Sequence, residues 1–128
     1  MSAASDYLEN KILEHTLGIT SFTAPTTVYL ALFTSDPTDA GTGTEVSTGG
    51  YTRQSISFGA VASGSVSSNA DITFGPASAN YGTVTHIGVY DASSAGNLLY
   101  HGALSASKTI ETNDSFVVES GDLTITLD

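Results

Sequence analysis

Three histidines and a short run of carboxylates are the residues of this chain whose types and spacing could do chemistry. His86 and His101 fall in two runs, 86–90 and 98–101, joined by a loop containing Gly96 and Asn97 that reads as a hairpin. Pairing symmetric about positions 93 and 94 sets the two rings opposite each other. Two imidazoles fall short of the three or four ligands that zinc takes. Partly buried polar side chains, satisfied by backbone or hydroxyl partners, account for the same residues. His15 lies apart from both, in a segment that reads as a helix.

Asp36, Asp39 and Glu45 bracket a loop rich in Pro, Thr and Gly, where oxygen ligands for a hard cation such as calcium can gather. Their spacing is not that of a helix-loop-helix calcium site, and Asp36-Pro37 followed by Asp39 is also what a tight turn capped by its own side chains looks like. The many Ser and Thr residues have no nucleophile elbow, no glycine-rich phosphate cradle after a strand, and no acid pair with a defined partner. No catalytic residue, metal or cofactor is therefore expected, and the function is sought in surfaces rather than in reactive groups.

Charge narrows those surfaces. Thirteen acidic residues stand against three basic ones, a net charge of -10, and charged residues make up only 12% of the 128. Lys11, Arg53 and Lys108 are isolated from one another in sequence, so nothing resembles the clustered cations that neutralise phosphates, and nucleic acid and anionic membrane are poor partners. The chain has no cysteine, which removes thiol chemistry and disulfides together. No apolar run reaches the roughly 20 residues of a membrane span, and no basic start precedes an apolar stretch, so a soluble protein without a signal peptide is expected.

The elements that position these residues read as one domain over 1–128, with a helix at 5–17 and a β-domain at 24–128. Ser5 and Asp6 can cap the helix, Asp6 and Glu9 suit its positive end, and Gly18 stands where a left-handed C-cap falls. Leu8 with Ile12, and Leu13 with Leu17, form two rows at spacing four that point in different directions, a face wide enough to pack on two things. After Gly18 the period becomes two. The segment 27–34, apolar at nearly every position and bracketed by Pro25 and Pro37, reads as a strand buried on both sides. Further strands are expected at 51–58, 70–74, 84–90, 98–104, 116–118 and 123–127, with 42–50 and 62–69 as loops. About seven short strands and one helix outside the series predict a mainly β fold, an antiparallel sandwich or barrel with an N-terminal α-helix.

On such a scaffold the candidate interface residues are Tyr7, Leu8, Ile12, Leu13 and Leu17 on the helix, together with Tyr51 and Tyr81. Tyrosine adds contact area while its hydroxyl tolerates a wet rim. The same rings can stack on sugars.

The order Tyr7-Leu8-Glu9-Asn10, then 24–34, Gly50-Tyr51-Thr52-Arg53-Gln54, 82–91 and Gly121-Asp122-Leu123-Thr124-Ile125 resembles a family of small tailed-bacteriophage virion proteins, tail-fibre-like or simply structural. The likeness spans nearly the whole chain and brings no catalytic residue with it. It implies a virion structural protein whose partners are the major capsid protein or other virion proteins. Acidic charge suits the outside of a DNA-filled shell, and a small single domain without fibrous repeats suits a capsid decoration (cement) protein on the outer capsid surface. A homotrimer matches the threefold positions of a capsid lattice. The alternative is a tail or tail-fibre component that contacts a receptor or carbohydrate.

Overall fold

Ser5 ends one element and begins the next. In the computed structural model, which describes residues 2–127, strand β1 (Ala3–Ala4) runs into Ser5, and helix α1 (Asp6–Thr16) follows at once. The Ser5 hydroxyl accepts from the Leu8 N–H at 3.2 Å and donates to the Leu98 carbonyl. Its own N–H donates to Leu99 O at 2.9 Å, so one buried residue caps the helix and pins it to the sheet. Asp6 and Glu9 occupy the first turn as expected, and Gly18, at φ +75°, follows the helix end in the left-handed conformation that glycine adopts freely.

The strands are β2 (Val28–Phe33), β3 (Gln54–Ile56), β4 (Ser65–Ser67), β5 (Ile72–Phe74), β6 (Gly82–Tyr90), β7 (Leu98–Ile110), β8 (Phe116–Val118) and β9 (Thr124–Thr126). One layer is a five-stranded antiparallel sheet in the order β1-β7-β6-β2-β3. The other holds two antiparallel ribbons, β4-β9 and β5-β8. A bridge between Phe58 and Ser68, with Asn69 N–H donating to Ser57 O, links the layers. This is the mainly β, sandwich-like architecture with an N-terminal helix that the period-two pattern predicts.

Strand β2 is buried on both faces. Leu30 and Leu32 enter the main core with Ile56, Phe74, Val84, Ile110 and Ile125, whereas Ala31 and Phe33 point the other way, to a second cluster with Tyr90 and Leu98. Gly88 lies opposite Ala31, and a Cβ there would meet Leu98 Cδ1 at 2.9 Å and Phe33 Cε1 at 3.0 Å. The second cluster closes only because that position is bare.

Several boundaries differ from expectation. Residues 62–69, read as loop for their Ser and Gly content, contain β4: Ser65 and Ser67 sit across from Thr126 and Thr124 as hydroxyl pairs while Val66 packs against the core. Alternation, not composition, marks that strand. The expected strand 51–58 contracts to three residues because Tyr51 and Arg53 are drawn into side-chain contacts described below. Strand β7 continues to Ile110, past a bulge at which Thr85 alone opposes residues 104–107. The two-residue β1 carries no pattern long enough to read. Among the described residues, no helix is long and apolar enough to cross a membrane.

Candidate functional site

The fold parts the three histidines from one another. His101 pairs with Gly88 and His86 with Ala103, so the histidines are offset by two positions instead of facing each other. The shift comes from the hairpin loop: Asp91 folds it closed, its carboxylate accepting from Asn97 N–H at 2.8 Å and from Asn97 Nδ2 at 3.0 Å, and the strands slip between Val89 and Tyr90. His86 Nδ1 lies 2.8 Å from Thr85 Oγ1, and His101 Nε2 lies 2.7 Å from Asp39 Oδ1. His15 Nδ1 accepts from Phe22 N–H at 3.0 Å, tying the loop after the helix back onto it.

Of the three loop carboxylates, Asp36 and Asp39 both lie beside His101, an Asp36 oxygen 4.0 Å from its Nδ1, while Glu45 parts from them. Asp36 accepts from Thr38 N–H at 2.8 Å as a turn cap, Asp39 meets His101, and Glu45 turns to Arg53. A different trio, Asp6, Glu9 and Asp39, offers carboxylate oxygens within 4.8 Å of one another, all exposed. The helix N-terminus accounts for the first two and His101 for the third.

The tightest polar arrangement is one that sequence reasoning missed. Arg53 grips Glu45 with two parallel bonds, Nε to Oε2 at 2.8 Å and Nη2 to Oε1 at 2.9 Å. Its Nη1 donates to Ala92 O at 3.0 Å and Ala95 O at 2.8 Å, and its guanidinium lies 3.7 Å from the centre of the Tyr90 ring. Tyr90 stacks in turn on Phe33. The Tyr51 hydroxyl donates to Glu45 at 2.7 Å and accepts from Leu32 N–H at 3.0 Å. Burial pulls the Glu45 carboxyl upward, but the bonds from Arg53 and Tyr51 and the Arg53 charge outweigh it and hold the group below its ordinary value. Burial and the Glu45 bond together push the Tyr51 phenol far up. Arg53 is also raised, because Glu45 outweighs the opposing effect of burial. The clamp fastens β2, the end of the acidic loop, the lead-in to β3 and the 91–97 hairpin to one another. One Arg in a chain with three cations, near an acid and a tyrosine, was the available signal.

Of the candidate interface residues, Tyr81 is buried and Tyr51 half-buried against the core. Tyr81 is 6% exposed and meets Tyr51 edge-on at 5.8 Å, while Tyr51 stacks on Phe74 at 5.9 Å. Leu8 is buried as well. Leu8 and Tyr81 thus fill the core, and Tyr51 packs half-buried against it. Tyr7 and Ile12 are half-buried, with Lys11 Nζ 5.7 Å from the centre of the Tyr7 ring. Leu13 and Leu17 are 56% and 69% exposed, and Ile19, which the sequence reading passed over, is 71% exposed. The two helix rows therefore resolve into Leu8 and Ile12 turned inward and Leu13 and Leu17 turned outward. Ile19 N–H and Thr20 N–H both donate to Glu14 O, folding the chain back at the helix end, where Ile19 is exposed as well. Exposed large apolar side chains gathered in one place mark a contact surface.

A family model described as Podophage GP4 fiber I protein gp80 matches residues 3–126. No curated protein matches the chain.

Proposed function

The chain belongs to the Podophage GP4 fiber I protein gp80 family and is a phage structural protein, and from that premise we propose that it is a fibre or tail component of the virion that acts by holding neighbouring proteins together and not by catalysis. The outward row Leu13, Leu17 and Ile19 is the observation that carries the contact role: a helix fixed to the sheet at its first turn and apolar on its outer face is built to be covered. Its partners are other virion proteins. The Ser5 cap, bonded to both the helix and the sheet, keeps that face in a fixed orientation, so little ordering remains to oppose binding.

A second reading, capsid decoration, draws on the net charge of -10 and the single small domain, which suit an outer shell surface. Imaging of virions carrying a tagged copy separates the two. Label confined to the tail or fibres in low copy supports the first reading, label over the head in high copy replaces it with the second, and absence of label from particles overturns both. In the tagged background, Leu13→Glu with Leu17→Glu should abolish incorporation while the isolated protein keeps its β spectrum. Normal incorporation of that variant would remove the helix as the contact.

A further inference from the structure

We infer that the cleft between β7 and the arm 116–126 is a strand acceptor, and that its occupant is an extended segment of a different virion protein, added to the free edge of β7. This is a contact surface separate from the helix face, and it rests on the proposed function only in taking its partner from the virion.

The path of the chain builds the cleft. After Ile110 it turns through 111–115 and runs back through β8 and β9, so β7 and 116–126 are two arms of one hairpin that lie in different layers. Among the described residues no ladder joins the arms: β8 and β9 pair with β5 and β4, and β7 pairs with β6. A cleft of about 340 Å³ lies between them. It reaches down to the main core, with Val89 and Leu104 on one side and Phe116, Val118, Leu123 and Ile125 on the other.

Backbone chemistry identifies the occupant. Strand β1 covers β7 only at Tyr100 and His101, and from Ala103 to Thr109 β7 is paired on the β6 side alone, where Thr85 is the single residue opposite 104–107. Ala103 and 105–109 are exposed. A free strand edge presents a row of N–H and C=O groups, and another extended main chain is what matches such a row. One end of the cleft already holds an extended main chain. There β1 lies against β7, and Ser2 reaches the opposite arm, its hydroxyl accepting from Thr126 N–H at 3.2 Å. The added strand lies further along the same edge and sets every second side chain onto the apolar floor. A second copy is a poor donor, because its alternating segments are already strands of its own core and its net charge of -10 opposes approach. The segment therefore comes from a different protein and carries apolar residues at alternate positions.

Two experiments on the full chain test the inference. In the first the probe is a short peptide of alternating valine and threonine with a lysine at each end, followed by amide hydrogen exchange. At about ten times its dissociation constant, exchange at 103–109 should slow by about tenfold, while β3, the edge strand on the other side of the sheet, should not change. The same peptide with proline at its centre lacks a backbone donor and should give no protection. Protection by the proline peptide, equal protection of β3, or no protection by either peptide would overturn the inference. The second experiment places a photoreactive phenylalanine analogue at Ser105, which is exposed on the cleft wall, in virions whose content of this chain is measured first. A crosslink to one segment of another virion protein is expected. A crosslink to a second copy, or none in particles that contain the chain, would refute the occupant. Absence of the chain from particles overturns the proposed function and with it the source of the strand, while the peptide result still decides whether the cleft accepts one.

Discussion

Arg53→Ala should be the most damaging single change outside the apolar core. The Arg53 side chain is 7% exposed and makes four hydrogen bonds, two to Glu45 and one each to Ala92 O and Ala95 O, besides lying on the Tyr90 ring. Removing one partner of a buried ion pair costs about 3–5 kcal/mol. Glu45 is 26% exposed and keeps the Tyr51 hydroxyl, so water recovers part of that, and about 2 kcal/mol remains from the broken pair. The lost contact with Tyr90 adds about 0.5–1 kcal/mol, giving a total near 3 kcal/mol and, for a domain of this length, a melting temperature lower by about 10 °C. Urea unfolding followed by far-ultraviolet circular dichroism measures it, and Arg53→Lys should recover less than half, because an ammonium cannot reproduce the two-pronged grip. Glu45→Ala and the double variant complete a cycle whose coupling should exceed about 1 kcal/mol. If Arg53→Ala falls within about 0.5 kcal/mol of the wild type, the clamp is only a surface ion pair and the account of how the hairpin is held is wrong.

Gly88→Val should destabilise the fold by at least about 2 kcal/mol, since a Cβ already meets Leu98 and Phe33 at 3.0 Å or less and overpacking of this kind costs about 1–3 kcal/mol before a second methyl is added; thermal unfolding checks it. Ser5→Ala should cost about 1–2 kcal/mol and release the helix before the sheet, read as faster amide exchange at 8–12 with strand amides unchanged. Burial raises Tyr51, Tyr81, Tyr90 and Tyr100, so the folded chain favours the neutral phenols. That stability is fully present below the ordinary tyrosine value of 10.0 and lost as pH rises above it, because the unfolded chain ionises first. Glu45 has the opposite sign: its folded value is depressed, so its contribution is present above 4.5 and lost as pH falls through the folded value. Urea midpoints from pH 2 to 12 should decline at both ends, and Arg53→Ala should flatten the acid limb.

The helix, the twice-buried strand β2 and the mainly β class were legible because each rests on periodicity, which burial enforces directly. Leu8, Ile12, Leu13 and Leu17 already announced two directions, and the fold assigned one inward and one outward. What was not legible depends on contacts between distant segments. The Arg53 grip joins residues eight positions back and about forty positions on, and nothing local marks it. Tyr51 and Tyr81 read as surface anchors because they stand near turns, yet turns can lead a ring inward as readily as outward, and here Phe74 receives Tyr51, which in turn meets Tyr81. The histidine register failed for a related reason: one Asp91 carboxylate reshapes the loop, and a slip of this kind displaces one histidine along the strand relative to the other.

The polar side chains and the exposed apolar ones divide the work of this molecule. Among the described residues no buried side-chain nitrogen or oxygen lacks a hydrogen-bond partner, and the groups with the strongest chemistry, Glu45, Arg53, His101 and Asp91, are each committed to closing a loop. A group held this way resists reorganisation, because freeing it leaves a partner unsatisfied. Leu13, Leu17 and Ile19 have the reverse property: water already surrounds them, so covering them releases that water and breaks nothing. Binding through the helix face therefore leaves the internal network undisturbed. The same separation explains why Leu17→Glu should weaken a contact through the helix without unfolding the chain, whereas loss of Arg53 should lower the stability of the fold and leave the exposed helix face in place.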